Sequence, residues 1–305
     1  MKAIQFNSYG DSSVLQLQEV ATPVPKAHEL LIHVVATTIN PFDIKNRSGA
    51  MKAFVPITFP YIPGTDVSGM VLEIGAAVTR FKVGDLIFAT ASHGTYAEYV
   101  CINEETASLI PDQLSINEAA ALAVPLNTAY SILVESAKLQ PGEKVLIHGA
   151  GGAVGMVVLQ MAKALGADVI GTASGKGLEL ISSLGANEVI DYKTQDFSEL
   201  VKDLDLVVDL VGGETQLKSY PLVKKGGKLL SIVMPPDDEL ALNHGITAQF
   251  INSVGSHKKL DFGKRLVESN KIRIEVAKVM NIARAAEAQD LVSAGGLNGK
   301  IVLNF

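Results

Sequence analysis

The sequence predicts a two-domain α/β protein, an irregular β barrel followed by a doubly wound parallel sheet. Three observations carry that prediction. The chain's 305 residues exceed the usual reach of one hydrophobic core. Residues 1 to about 114 read as short strands broken by turn residues, among them Pro23, Pro25, Pro41, Gly49, Pro60, Pro63-Gly64, Gly69, Gly75, Gly84-Asp85 and Gly94. From Lys144 onward the pattern becomes strand, glycine turn, helix, strand, repeated over short connections.

Met1-Lys2-Ala3-Ile4-Gln5-Phe6 alternates like a strand and lacks the apolar block and cleavage site of a signal peptide, so cytoplasmic residence is expected. Ser115-Ile116-Asn117-Glu118 has capping-box spacing; a helix should start there and carry the chain into the second domain, with Pro125 breaking or kinking it. Strands are expected near 144–149, 168–173, 187–191, 205–210 and 227–233, and the intervening helices should end at Gly166 and Gly185. After about residue 257 the rhythm is helix, strand, helix, strand, closing on Gly299-Lys300-Ile301-Val302-Leu303. This tail is expected to rejoin the first domain. There is no internal repeat and no low-complexity linker.

Composition removes several function classes. The chain is 48% hydrophobic and 19% charged, without an apolar run long enough to span a bilayer. A net charge of −6 gives no electrostatic reason to bind nucleic acid or anionic lipid, although local basic patches stay open. The single cysteine, Cys101, excludes an intrachain disulfide and any zinc site built on several thiolates; it reads as a buried small hydrophobe rather than a nucleophile.

The chemistry begins at residue 144. Lys144-Val145-Leu146-Ile147-His148 is an apolar strand, and Gly149-Ala150-Gly151-Gly152-Ala153-Val154-Gly155 follows it and opens a helix. Glycines let the backbone turn tightly and approach a pyrophosphate, whose charge then meets the free N–H groups and positive dipole end of the helix. The spacing is G-x-x-G-x-x-G, so the strand-turn-helix context carries the dinucleotide reading as much as the motif does. At the end of the next strand no carboxylate stands ready for a ribose 2′-OH. Ser174 and Lys176 stand there instead, a hydroxyl and a cation suited to a 2′-phosphate, with Tyr192 as a donor from the side; NADPH is therefore expected over NADH. For Lys176 the alternative is a solvated surface lysine.

This glycine turn behind a strand-rich N-terminal domain resembles the medium-chain dehydrogenase/reductase family, most closely its quinone oxidoreductase, zeta-crystallin-like branch. Matching stretches run from Ile39-Asn40-Pro41-Phe42-Asp43 to Arg47-Ser48-Gly49, and through Pro63-Gly64-Thr65-Asp66-Val67-Ser68-Gly69. Others are Tyr96-Ala97-Glu98-Tyr99-Val100, Glu118-Ala119-Ala120-Ala121, Leu126-Asn127-Thr128-Ala129-Tyr130 and the terminal Gly299-Lys300-Ile301-Val302-Leu303. The resemblance implies a GroES-like catalytic domain at 1–122 and 257–305 and a Rossmann NADP-binding domain at 123–256. Zinc-dependent alcohol dehydrogenases of this fold carry a Cys where Asn40 stands and a His where Thr65 stands, so two of three catalytic zinc ligands are gone. The cysteine-rich loop for a structural zinc is missing too. Without a Lewis acid, hydride delivery to a conjugated acceptor is the easier chemistry, and the expected substrates are quinones and α,β-unsaturated carbonyl compounds.

The resemblance places the nicotinamide in an interdomain cleft beside Asn40, a donor to the developing oxyanion, whose alternative use is to satisfy the turn at Pro41. Tyr61 either lines the substrate, donates a proton or simply packs, with solvent an equal proton source. Thr128 is expected against the cofactor, or bonded back within its helix, and Val233 and Met234 beside the nicotinamide. Leu126 and Phe250 complete the expected lining. His148 reads as a packed or capping histidine, and His93 and His244 as loop or surface residues. A homodimer through a sheet edge is expected. A different class stays open: an NADPH-binding structural or regulatory protein with little turnover.

Overall fold

The computed structural model describes residues 1–305. The chain divides into two units, unit 1 comprising Met1–Val124, Gly255–Lys264 and Glu275–Phe305, and unit 2 comprising Pro125–Val254 and Arg265–Ile274.

Unit 1 opens with β1 (Lys2–Gln5) and β2 (Gln16–Glu19), an antiparallel pair. Then come β3 (Glu29–Thr38), helix α1 (Pro41–Ser48), β4 (Asp66–Ile74), β5 (Leu86–Thr90), β6 (Tyr99–Asn103) and β7 (Ala107–Leu109). The long strand β3 organises the rest, pairing antiparallel with β4 and β6. Its apolar side chains Leu30, Ile32 and Val34 pack with Val67, Val71, Ile87 and Ile102, each such burial worth about 1.5–3 kcal/mol. Helix α2 (Ile116–Tyr130) starts as expected, with Ser115 and Glu118 exchanging capping bonds. It does not break at Pro125, because Leu122, Ala123, Leu126 and Ala129 are all buried and hold the helix through the lost backbone bond. A π-helical turn at Ser131–Ala137 follows it.

Unit 2 continues with β8 (Lys144–His148), α3 (Ala153–Ala164), β9 (Asp168–Ala173), α4 (Lys176–Ser183) and β10 (Glu188–Asp191). After them come α5 (Phe197–Leu200), β11 (Leu204–Asp209), α6 (Glu214–Ser219), β12 (Val223–Ser231), α7 (Asp238–His244) and β13 (Thr247–Phe250). The six strands are parallel in the order β10-β9-β8-β11-β12-β13, a doubly wound sheet that reverses direction at β8. Leu146, Ile170, Ile190, Val207 and Leu229, one from each of five strands, share its core. Two details differ from the sequence reading. β12 begins at Val223, since Gly226-Gly227 forms a bulge inside the strand, with Leu204 opposite Val223 but Leu206 opposite Lys228. β13 is a strand that the sequence reading did not place, a short and largely exposed one.

The tail runs α8 (His257–Glu268), β14 (Val276–Asn281), α9 (Ala285–Ala294) and β15 (Lys300–Asn304). β15 pairs antiparallel with β3 and parallel with β14, adding both strands to the sheet of unit 1. Arg265–Ile274 groups instead with unit 2. There Gln160 of α3 takes both the N–H and the carbonyl of Arg273, and the Arg273 guanidinium donates to Ser183. Cys101 on β6 is half-buried rather than buried, and burial pushes its thiol up to about 11, which keeps it a poor nucleophile. No helix is long and apolar enough to cross a membrane.

Candidate functional site

In unit 2, β8 delivers the chain into the glycine turn. Gly149 sits at φ +70°, where other residues are strained, and its N–H reaches Thr172 Oγ1 while the N–H of Ala150 reaches the Thr172 carbonyl. Gly155 faces back onto this turn: a Cβ there would lie 2.2 Å from the Gly149 carbonyl oxygen. Helix α3 begins behind Gly152, which supplies no side-chain cap, so the first N–H groups at Ala153, Val154 and Gly155 are left for an anion. Gly151 completes the loop. This cradle fits a dinucleotide pyrophosphate.

β9 ends at Ala173, and Ser174 Oγ donates to Tyr192 Oη at 2.8 Å. Lys176 is exposed at the first position of α4, and Tyr192 is exposed just past β10. The structure therefore brings Ser174 and Tyr192 together and leaves Lys176 exposed, hydrogen-bonded to neither. Past β12, Val233 and Met234 stand over the turn that follows β11: Met234 Sδ accepts from the N–H of Gly213, and both side chains lie against Gly212. Asp209 holds that turn, accepting from the N–H groups of Val211 and Gly212 with one oxygen and from Gln216 and Ser231 with the other. Thr128 is buried in α2. His148 is buried between Thr172 and Ser219 with its ring against Phe197, and burial pushes its pKa down to about 4, so it is a neutral packed residue.

In unit 1 the carboxylate of Asp66, fully buried at the start of β4, collects four donors. One oxygen accepts from Thr38 Oγ1 at 2.5 Å, Asn40 Nδ2 at 2.8 Å and Lys300 Nζ at 2.8 Å; the other accepts from the N–H of Val124 at 2.6 Å. Lys300, brought in by β15, also donates to Thr38 Oγ1 and Asn40 Oδ1. Asn40 gives its remaining amide hydrogen to Thr65 Oγ1 at 2.8 Å. Nearby, Asp43 accepts from the N–H of Asn40, and burial followed by the neighbouring Asp66 pushes its carboxyl up to about 7.

Sequence reasoning found Asn40 but not Lys300 or Asp66, although both lie in stretches it singled out. A lysine one residue after a terminal glycine and before three apolar residues was the available signal. Tyr61 is half-buried, its ring edge-on to Phe6 and 5.0 Å from His93, and burial pushes its phenol up to about 12. His93 therefore sits in a loop but against Tyr61, and His244 ends α7 with its ring 6.3 Å from Tyr220.

The family profile described as "Alcohol dehydrogenase GroES-like domain" matches residues 26–112, and that described as "Zinc-binding dehydrogenase" matches residues 184–303. The quinone oxidoreductase of Mus musculus is 32% identical over 99% of this chain and 97% of its own length. This chain belongs to the zinc-independent quinone oxidoreductase branch of the medium-chain dehydrogenase/reductase family. Among solved quinone oxidoreductases, that of Coxiella burnetii superposes with a TM-score of 0.90 at 32% identity, covering 100% of this chain and 99% of its own. That of Escherichia coli, solved in complex with NADPH, superposes at 0.91 with 26% identity and full coverage of both chains. As a member of this branch the chain carries no metal-donor set: no three His, Cys, Asp or Glu side chains gather as they would around an ion.

Proposed function

We propose that this quinone oxidoreductase relative is an enzyme that uses NADPH to transfer hydride to quinones or to the C=C bond of α,β-unsaturated carbonyl compounds. The observation that carries this reading is the pairing of an intact glycine cradle with a buried, hydrogen-bonded cluster where a metal-dependent relative would need metal donors. When bound, the nicotinamide supplies the hydride from its C4.

The rest falls to the chain's own groups. Gly149 to Gly155 receive the pyrophosphate on backbone N–H groups. Ser174, Tyr192 and Lys176 receive the 2′-phosphate; one charge-assisted contact is worth about 1.5–3 kcal/mol, enough to favour NADPH roughly tenfold or more over NADH. Thr128 lies along the cofactor, and Val233 and Met234 keep the nicotinamide side apolar. The cluster around Asn40 supplies the donor to the acceptor oxygen, its groups already oriented before charge develops, which is what makes such stabilisation cheap. Tyr61 stays protonated at physiological pH and lines the acceptor as a neutral phenol; with its pKa raised it is a weak acid, and we take solvent as the proton source. The open outer edge of β13, with Phe250 exposed at its end, is the surface through which we place a homodimer.

The test is steady-state oxidation of NADPH and of NADH with 1,2-naphthoquinone and with a simple enone. The proposal expects kcat/KM at least about tenfold higher with NADPH, in line with one lost phosphate contact. Equal use of both cofactors would remove the 2′-phosphate assignment, and binding without turnover would leave an NADPH-binding protein.

A further inference from the structure

The buried cluster of unit 1 has a direction. Lysine can only donate and an ionised carboxylate can only accept, so the Asn40 amide has one possible orientation: Oδ1 toward Lys300 at 2.5 Å, Nδ2 toward Thr65 and Asp66. Both amide hydrogens are then committed, and Asn40 has none to offer a substrate. The same accounting settles the other hydroxyls. Thr38 donates to Asp66, Thr37 donates to the Asp66 carbonyl and so must accept from Thr95, and Tyr96 is turned toward Thr38 and Asp43. Thr90 Oγ1 has no partner but is buried against Gly255. Thr65 differs from all of them. Its oxygen accepts from Asn40, its hydrogen has no acceptor within the protein, and the residue keeps 8% exposure.

We infer that Thr65 is the oxyanion donor of the reduction, its O–H polarised by the ammonium of Lys300 through the Asn40 amide. The inference rests on the reductase reading above and assigns to Thr65 the contact that sequence reasoning gave to Asn40. Hydrogen bonds in series strengthen one another when each acceptor is also a donor, and here a buried cation stands at the head of the series. Asn40, Asp66 and Lys300 are positioning residues. The step balances as follows: hydride with its electron pair leaves the nicotinamide C4 of NADPH and forms a C–H bond at the β-carbon of the enone. The C=C pair moves to the Cα–C bond, and the carbonyl pair moves onto oxygen. Thr65 donates a hydrogen bond to that enolate oxygen without giving up its proton. Water then protonates the α-carbon, leaving the saturated ketone, NADP⁺ and hydroxide.

The experiment compares wild type with Thr65→Val, which keeps the shape and removes the hydroxyl, and with Thr65→Ser, which restores it. The readouts are kcat and KM for an enone, NADPH affinity by fluorescence titration, and Tm. Loss of one oxyanion donor predicts a fall in kcat of about 100- to 1000-fold in Thr65→Val, with NADPH affinity and Tm near wild type and most of the loss recovered in Thr65→Ser. Thr65→Ala serves if the valine variant does not fold. An active wild type with a fully active Thr65→Val overturns the inference alone, as does a loss of activity that follows Tm and is not recovered by serine. A wild type that binds NADPH but does not oxidise it in the presence of either a quinone or an enone removes the reductase reading and this inference together.

Discussion

Asp43 is a carboxylic acid enclosed in the barrel of unit 1, with Asp66 beside it and a hydrogen-bond donor at Asn40 N. Its pKa rises on folding from 3.8 to about 7, so between those values the folded chain holds a proton that the unfolded chain has released. Stability from this group is present at low pH and is lost as pH climbs through about 7, a cost of roughly 2–4 kcal/mol at full ionisation. Asn carries no charge in either state. Thermal melts should therefore show the Asp43→Asn variant gaining on wild type between pH 5 and pH 8, and a difference independent of pH would refute the assignment. At this scale the sequence was half legible. Asn40 was picked out through the family resemblance and Thr65 only as the position of a lost zinc ligand; the group that orders them, Lys300, is 234 positions from its partner Asp66, and no local pattern announces a pair formed by strand pairing at that distance.

At the scale of elements, buried parallel strands run apolar along their whole length, which is why β8, β9 and β11 were readable within a residue or so. β13 escaped because its four residues are partly exposed and form no apolar run, and the early start of β12 escaped because a glycine pair reads as a turn before it reads as a bulge. The strand-turn-helix of β8 and α3 gives the sharpest test of an element. In Gly155→Ala the new methyl would meet backbone, not a yielding side chain, since the Gly149 oxygen would lie 2.2 Å away and Ala150 Cα 2.7 Å. The turn must open to admit it. We expect that variant to lower Tm by several degrees and to weaken NADPH binding at least about tenfold, read by thermal melt and fluorescence titration. Unchanged binding would mean that the cradle does not hold the pyrophosphate.

For the whole molecule, the fold class and the family were legible because the motifs that carry the likeness are spread along the chain and fall in both units. Less legible was the course of residues 257–305, where one segment, Arg265–Ile274, is held by Gln160 and Ser183 of unit 2. On the proposed reading, the hydrogen-bonded cluster of unit 1 and the glycine cradle of unit 2 each supply a part of a metal-free hydride transfer. The measurement that tests this most directly follows deuterium from NADPH labelled at the transferable C4 position into an enone, with the enzyme treated with EDTA. The account predicts a saturated ketone with one deuterium at the β-carbon, a solvent hydrogen at the α-carbon, and a rate unchanged by chelation. Deuterium at the carbonyl carbon of an allylic alcohol, or activity lost to EDTA and restored by zinc, would contradict it.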